Sequence, residues 1–464
     1  MPDLPPNRTE TAFTDYKLPL SRGQAIVEAN RCLFCADAPC IKACPTRIDI
    51  PQFIRKISTD NVKSSARTIF EANILGMSCA RVCPVEVLCE GSCVYNLQDT
   101  PPIQIGKLQR YATDAAFENG WRFFEAGPES GKSVGLIGGG PASLAAAHEL
   151  RRHGHRCTIY EKRPALGGLN ATGVAPYKMR ADKALEEVEW VLGIGGIEVQ
   201  LNAGVGESIS LADLESRHDA VFIGVGLGPD SMMGSPGEKL PGVLGAVDWI
   251  EQMKLQHLSL GDVQRCVVIG GGNTAIDAVR EARGLGIASV TMIYRGTEAS
   301  MSGYEHEWRS AQTDGAVAQW QAVPVAFEGD GRLQRVRCIC LDDHKRAIAG
   351  TEFSVEADLA LLAIGQSRLG QSLAALAGIA LDRGRIITDA GGFTGRKGWY
   401  AGGDCTNGGK EVVNAAAEGK AAACSIHQYL AGQTFAGQSL AGQSLGGVSL
   451  VGQAATNTNG SDHG

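Results

Sequence analysis

No apolar run in the sequence reaches the roughly 18 residues that a membrane span needs. Lysine and arginine form no cluster. The 43 basic and 50 acidic residues are scattered and leave a net charge of −7. That argues against a phosphate-tracking face and a nucleic-acid partner. The stretch Met1 to Phe13 is polar and contains proline, without the basic-then-apolar pattern of a secretion signal. The expected location is the cytoplasm, where disulfides are not expected to persist.

Against these absences stands an excess of cysteine and glycine. There are 14 cysteines, eight of them between Cys32 and Cys93, and 60 glycines. In a reducing compartment, such cysteine density points to metal or clusters. A chain of 464 residues suits two to four domains. Residues 1–128 carry the cysteines between short helical stretches at Ser21–Asn30, Ile50–Ser58 and Val62–Ala72. From about 130 the text becomes strand, Gly-rich turn, helix, and the pattern returns near 265. An α/β fold with two doubly wound dinucleotide-binding domains follows. The segment Trp399–Asp404 completes the first of them from far downstream. The expected plan is therefore 129–232 and 366–430 for one domain, with 233–365 inserted. Residues 431–464 repeat a five-residue AGQSL-like unit and read as a low-complexity, disordered tail.

The cysteines fall in two runs, Cys32-x2-Cys35-x4-Cys40-x3-Cys44-Pro45 and Cys79-x3-Cys83-Pro84-x4-Cys89-x3-Cys93. Thiolates are the soft ligands that iron–sulfur clusters require. In two-cluster runs ending in Cys-Pro, the last cysteine serves the other cluster. Cys32, Cys35, Cys40 and Cys93 are then expected to hold one [4Fe–4S] cluster. Cys44, Cys83 and Cys89 supply three ligands to a second, leaving Cys79 over. Zinc is the alternative that a Cys-x2-Cys gap also suits. Cys157, Cys266, Cys338, Cys340, Cys405 and Cys424 read as buried structural thiols.

The first glycine-rich turn is Gly138-Gly139-Gly140-Pro141-Ala142-Ser143, between a strand and a helix. Its glycines allow a tight turn and a close approach to a pyrophosphate at the helix N-terminus. Ser143 stands in for the third glycine. Glu161, at the end of the next strand, is placed to accept from ribose hydroxyls. The second turn is Gly270-Gly271-Gly272-Asn273-Thr274-Ala275, with Arg295 at the position of Glu161. An arginine there can take a 2′-phosphate, hinting at NADPH, or can be a solvated residue stacked on adenine. Tyr400-Ala-Gly-Gly403-Asp404 suits a carboxylate facing a flavin's ribityl chain; alone it would be a tight turn capping the helix Lys410–Gln428. Together these predict FAD on the first turn and a nicotinamide dinucleotide on the second. Glu307 reads as a solvated helix carboxylate.

The text Arg31-Cys-Leu-Phe-Cys-Ala-Asp-Ala-Pro-Cys-Ile-Lys-Ala-Cys-Pro-Thr46, with Cys83-Pro and Cys89-Glu-Gly-Ser-Cys93, closely resembles the N-terminal half of dihydropyrimidine dehydrogenase. It resembles most the separate bacterial flavoprotein subunit of that enzyme (PreT type). The resemblance spans roughly residues 20–430. The wider group includes the small subunit of glutamate synthase, whose cysteine region lacks the Ala-Asp-Ala-Pro-Cys text. The resemblance implies that Gln109, in Ile105-Gly-Lys-Leu-Gln109, completes the second cluster. It implies FAD contacts for Gly139–Ser143, for Glu161, Lys162, Gly168 and Leu169, and for Gly403, Asp404 and Val412. Lys178 stands where the family has a flavin-contacting arginine and is the corresponding cofactor-binding candidate here. For the nicotinamide it implies Gly271–Thr274, Arg295, Ala363 and Gly365. Gly296 and Ser302 replace basic residues of the NADPH-dependent relatives, which favours NADH. Full-length relatives continue into an FMN barrel that this chain does not show. The expected role is electron entry, with no pyrimidine-reducing residues of its own, into an FMN/iron–sulfur catalytic subunit in a hetero-oligomer. The runner-up roles are glutamate synthase small subunit and ferredoxin-feeding reductase.

Overall fold

The computed structural model describes residues 4–432. Its N-terminal region is a layer of short helices. Arg22–Asn30, Ile50–Ser58 and Val62–Ala72 form where apolar spacing predicts, and each begins on a side-chain cap. Ser21 and Gln24 bond reciprocally, Asp49 accepts from Gln52 N at 3.1 Å, and Asn61 accepts from Ser64 N at 3.3 Å. The faces so oriented bury Phe53, Ile54, Ile57, Ile69 and Phe70 in one core. Gly76–Val82 and Ile105–Glu118 complete the layer.

Two contacts fasten this layer to the rest of the chain. Trp190 packs on Phe70 at 4.5 Å and Phe117 at 5.6 Å between ring centroids. Glu187 accepts from Met77 N at 2.9 Å and Ser78 N at 3.1 Å, at the start of the helix Gly76–Val82. A carboxylate suits the positive end of a helix, yet complete burial pushes the Glu187 carboxyl up to about 7.

The first five-stranded sheet runs in the order Trp399–Ala401, Ala220–Ile223, Ser133–Ile137, Arg156–Tyr160, Ile197–Gln200, all parallel. The second runs Val243–Gly245, Leu359–Leu362, Arg265–Ile269, Ser289–Tyr294, Val317–Trp320, also parallel. Central strands such as Val134–Ile137 and Leu359–Leu362 are buried throughout, as parallel sheets covered on both faces require. Trp399–Ala401 joins the first sheet only after the chain has traversed the second, so the second unit is inserted in the first. The two crossings pair with each other, through Ser231 N to Gly365 O and Gly228 N to Ser367 O, both 2.8 Å.

An antiparallel sheet of Ala322–Glu328, Arg335–Leu341 and Ala347–Glu356 was not anticipated from the sequence. It buries Phe327, Val336 and Cys338 against Ile269 and Ile293 of the second sheet. Cys157, Cys266, Cys338 and Cys405 are buried as expected of structural thiols, whereas Cys340 and Cys424 are only half-buried. The helix expected over 410–428 runs Val412–Leu430. No helix of the described residues is long and apolar enough to cross a membrane. The low-complexity tail lies, beyond residue 432, outside the described residues.

Candidate functional site

Three cysteines of the first run and the last of the second are gathered around one concavity. Cys32, Cys35, Cys40 and Cys93 line it, with Ile50, Ile54, Ile103 and Ile105 as its apolar wall. Burial raises the Cys32 thiol, and pushes Cys40 up to about 12. Thiolates are unfavourable there unless a cation neutralises them. A cysteine-rimmed, apolar pocket therefore fits an iron–sulfur cluster.

Cys44, Cys83 and Cys89 form the second group. Cys44 and Cys83 are buried, and Cys89 feels both neighbours electrostatically. Cys79, unassigned by spacing, lies beside Cys83. Its thiol and burial together hold Cys83 well above the usual thiol range. Cys79 also accepts from Asn73 Nδ2 at 3.1 Å. Gln109 is buried and donates its Nε2 to Gly76 O at 2.7 Å. That bond fixes the amide and leaves Oε1 as its remaining acceptor.

At the first glycine-rich turn, Gly138 has φ +92°, and a Cβ there would sit 2.6 Å from Gly224 O. Gly139 N donates to Glu161 Oε2 at 2.7 Å, while Glu161 Oε1 accepts from Arg163 N at 2.7 Å. Glu161, expected to face a ribose, thus holds the turn itself, with a lone pair to spare on each oxygen. Gly140 and Gly168 bring their backbones together: a Cβ on Gly168 would come 2.9 Å from Gly140 Cα. Leu169 opens the short helix that Gly168 starts. Ser143 is fully buried against Gly224, and its Oγ has no hydrogen-bond partner. Lys162 lies apart from this cradle, exposed and paired with Glu207 at 2.6 Å.

The helices Pro141–Arg152 and Val412–Leu430 both start without a side-chain cap, leaving N–H donors for an anion. They lie so close that a Cβ on Gly419 would strike Ala142 O. Asp404 accepts from Lys410 N at 3.2 Å, and burial raises its carboxyl. Glu418, which sequence reasoning overlooked, fixes Gly403 N at 2.7 Å and Thr406 Oγ1 at 3.1 Å. The open glycine backbone, uncapped helix starts and orphan hydroxyl fit a dinucleotide flavin.

The second turn repeats the geometry. Gly270 has φ +142°, with Ala363 O where a Cβ would stand. Gly271 packs against the Tyr294 ring, and Gly272 opens toward Ser302 Oγ at 3.6 Å from its would-be Cβ. Asn273 and Thr274 start an uncapped helix, and Ala275 is buried within it. Arg295 is exposed and enters no ion pair among the described residues. Gly365 lies exposed at φ +107°, at the crossing between the units.

Between the two turns lies a buried polar cluster. Lys178 Nζ is 2.9 Å from Asp277 Oδ1 and 2.8 Å from Glu307 Oε1. Tyr177 OH donates to Asp277, and Tyr304 OH donates to Glu411 Oε1 at 2.7 Å. Glu307 is therefore not the solvated carboxylate expected: Lys178, 129 residues away, draws it into the interior. Although burial opposes its charge, Asp277 and Glu307 hold the Lys178 ammonium above its ordinary range. Asp277 could have been suspected from an acid set among Ala275, Ile276, Ala278 and Val279 on a buried helix face.

With this geometry in place, comparison with known proteins is direct. Residues 8–121 match the family described as dihydropyrimidine dehydrogenase domain II, 4Fe-4S cluster, and residues 132–419 match pyridine nucleotide-disulphide oxidoreductase. The glutamate synthase [NADPH] small chain of Escherichia coli is 34% identical over 456 residues, covering 92% of this chain and 96% of the relative. The NAD-dependent dihydropyrimidine dehydrogenase subunit PreT of Salmonella typhimurium is 35% identical over 407 residues, covering 88% and 94%. Among solved structures, FprA of Mycobacterium tuberculosis aligns with a TM-score of 0.53 at 19% identity, over 66% of this chain and 85% of its own. Thioredoxin reductase of Lactococcus lactis aligns at 0.52, over 65% and 99%, also at 19% identity. These two share the fold. The chain belongs to the pyridine nucleotide-disulphide oxidoreductase family, carries an N-terminal iron–sulfur domain of the dihydropyrimidine dehydrogenase type, and is an NAD(P)H-dependent FAD/iron–sulfur oxidoreductase.

Proposed function

We propose that this chain is the electron-entry subunit of an NAD-dependent dihydropyrimidine dehydrogenase, delivering electrons to an FMN/iron–sulfur partner that reduces uracil and thymine to their 5,6-dihydro forms. The observation that carries this reading is the N-terminal cysteine text, of which Cys32, Cys35, Cys40 and, from the second run, Cys93 meet in one apolar pocket. FAD bound at the first turn supplies hydride acceptance, and two [4Fe–4S] clusters supply one-electron transfer. The first turn, with Gly138–Ser143, Glu161, Gly168, Leu169, Gly403, Asp404 and Val412, binds and orients the flavin. The second, with Gly270–Ala275, Arg295, Ala363 and Gly365, seats NADH. Hydride transfer needs proximity more than an acid or base, so the work of these residues is placement. Cys44, Cys83, Cys89 and Gln109 belong to the more deeply buried group, beside the helix Gly76–Val82 that Glu187 ties to the flavin unit. Cys32, Cys35, Cys40 and Cys93 are all part-exposed. The buried set therefore serves the flavin side and the exposed set the partner side.

A second reading, the small subunit of a glutamate synthase with an amidotransferase partner, draws on the 34% identity over 456 residues. The experiment is anaerobic purification with whatever co-purifies, followed by NADH oxidation. Oxidation on adding uracil is expected. Oxidation only with glutamine plus 2-oxoglutarate would replace the first reading by the second. Cys44→Ala should abolish uracil-dependent turnover while the bound flavin is still bleached by NADH.

A further inference from the structure

At the end of the helix Pro141–Arg152 remote from its glycine-rich start, three side chains of different chemistry converge. A carboxylate oxygen of Glu149, an imidazole nitrogen of His153 and the Sγ of Cys424 all lie within 4.8 Å of one another. Glu149 Oε1 is 3.6 Å from His153 Nε2, too long for a hydrogen bond. Glu149 spends its other oxygen, Oε2, on Arg152 NH1 at 3.1 Å. Among the described residues, neither Glu149 Oε1, the His153 ring nor Cys424 Sγ enters a hydrogen bond. Three potential ligand atoms thus lie within 4.8 Å of one another with no other hydrogen-bond partner among the described residues. The side chains of Glu149 and His153 are 12% and 32% exposed, and Cys424 is half-buried, so an ion can reach them.

The surroundings support the group as a ligand set does. His427 lies flat on His153, with ring centroids 4.0 Å apart and planes 9° apart. His427 Nδ1 is 2.9 Å from His155 Nε2, and His155 Nδ1 is 2.7 Å from Ser130 Oγ. The His427 ring, held by His155 and Ser130, covers one face of His153 and limits how its ring can turn. Two cations are near, and both are already engaged: Arg152 NH2 bonds Glu71 at 2.6 Å, and Lys420 Nζ donates to Glu71 O at 2.6 Å.

We propose that Glu149, His153 and Cys424 bind a zinc-class divalent cation, with water as fourth ligand. One thiolate, one imidazole and one carboxylate form a borderline donor set that suits zinc rather than calcium or magnesium, which take oxygen alone. Zinc bonds of about 2.0–2.3 Å place tetrahedral ligands roughly 3.5 Å apart. Glu149 Oε1 and His153 Nε2 stand near that spacing already, 3.6 Å apart, and binding requires the remaining donor to close in from within 4.8 Å by rotation of its side chain. On binding, Cys424 loses its thiol proton to solvent and a Zn–S bond forms. The ion ties Pro141–Arg152 to Val412–Leu430, the two helices whose opposite ends meet the first glycine-rich turn, at the place where Glu71 of the cluster layer also joins them. It is a staple on the flavin unit, remote from both cysteine sets assigned to clusters.

The test uses untagged holoprotein with FAD and clusters intact, dialysed anaerobically against Zn2+ alone. One zinc per chain should bind without loss of iron. Cys424→Ser and His153→Gln should each weaken that binding at least about tenfold, whereas Cys340→Ser should not. X-ray absorption at the zinc edge should show one sulfur near about 2.3 Å. Zinc should raise the thermal midpoint of the wild type and leave both variants unmoved. Equal zinc uptake by wild type and Cys424→Ser, zinc entry matched by iron release, or no uptake by the wild type would each overturn the proposal.

Discussion

The two glycine-rich turns have the same sequence logic and different closures. In the first, Glu161 reaches back to Gly139 N, and Gly168 presses on Gly140. The turn is locked by a buried carboxylate and roofed by the helix Val412–Leu430. In the second, the matching strand ends in Tyr294 and exposed Arg295, and Gly272 opens toward a serine hydroxyl. A locked, roofed turn suits a dinucleotide that stays bound through many turnovers. An open one suits a dinucleotide that must leave after each. On the proposed assignment, the same fingerprint would serve a resident and an exchanging ligand, and what surrounds it would decide which.

The comparison breaks most visibly at the first glycine of each turn. Both Gly138 and Gly270 have φ values that L side chains rarely adopt, with a carbonyl where a Cβ would lie. Gly138→Ala should yield protein without FAD, measured as the 450 nm absorbance per chain. Gly270→Ala should keep the flavin and lose about a hundredfold in kcat/KM for NADH, because a shift of about 1 Å in the seat has that effect. Flavin loss in both variants would mean that the two turns do not have separate ligands.

The next largest effect is expected where the two units meet. Lys178→Met leaves Asp277 and Glu307 buried without their cation. Removing one partner of a buried ion pair costs about 3–5 kcal/mol, to be read from denaturant unfolding followed by flavin fluorescence. Adding Glu307→Gln should recover part of the loss. If the single variant unfolds like the wild type, the cluster does not couple the units.

How much of this was legible beforehand follows from sequence distance. The capped helices, both βαβ units and the insertion could be read because their signals are local: a Ser21 or Asp49 cap, a buried strand, a glycine turn. Pocket-sharing by Cys32, Cys35, Cys40 and Cys93 also followed from spacing. The burial of Glu307 did not, because its partner Lys178 comes from another unit, and a lone glutamate on a helix looks like any solvated one. The antiparallel sheet over 322–356 was missed for a related reason: its strands matter only where they cover the second sheet. Glu161 was expected to accept from ribose hydroxyls, and the structure shows its two oxygens holding Gly139 N and Arg163 N. Spacing reveals an acid at a strand end, not that a backbone N–H has already claimed one lone pair.

That double duty makes a sharper test of the closure. Glu161→Gln keeps the shape and one acceptor oxygen, but loses the charge-assisted bond to Gly139 N or to Arg163 N. FAD affinity should fall about tenfold to thirtyfold, for a loss of roughly 1.5–2 kcal/mol, while KM for NADH stays unchanged. A change confined to KM would show the acid serving the other ligand.

The smallest effect concerns the open turn. Ser302 Oγ donates to Gly271 O at 3.3 Å and borders Gly272, where the uncapped helix begins. With Arg295 alone, the site offers one guanidinium, too little to favour a 2′-phosphate strongly over a hydroxyl. Ser302→Arg adds a second guanidinium at an exposed position bordering Gly272. One added charge-assisted contact of about 1.4 kcal/mol is a factor of about ten. The ratio of kcat/KM for NADPH over NADH should rise by that factor, with FAD content unchanged. The gain should shrink in high salt, because exposed charges are screened. An unchanged ratio would place the adenine ribose away from residue 302, and the specificity of the open turn would then rest on Arg295 and the strand end at Tyr294.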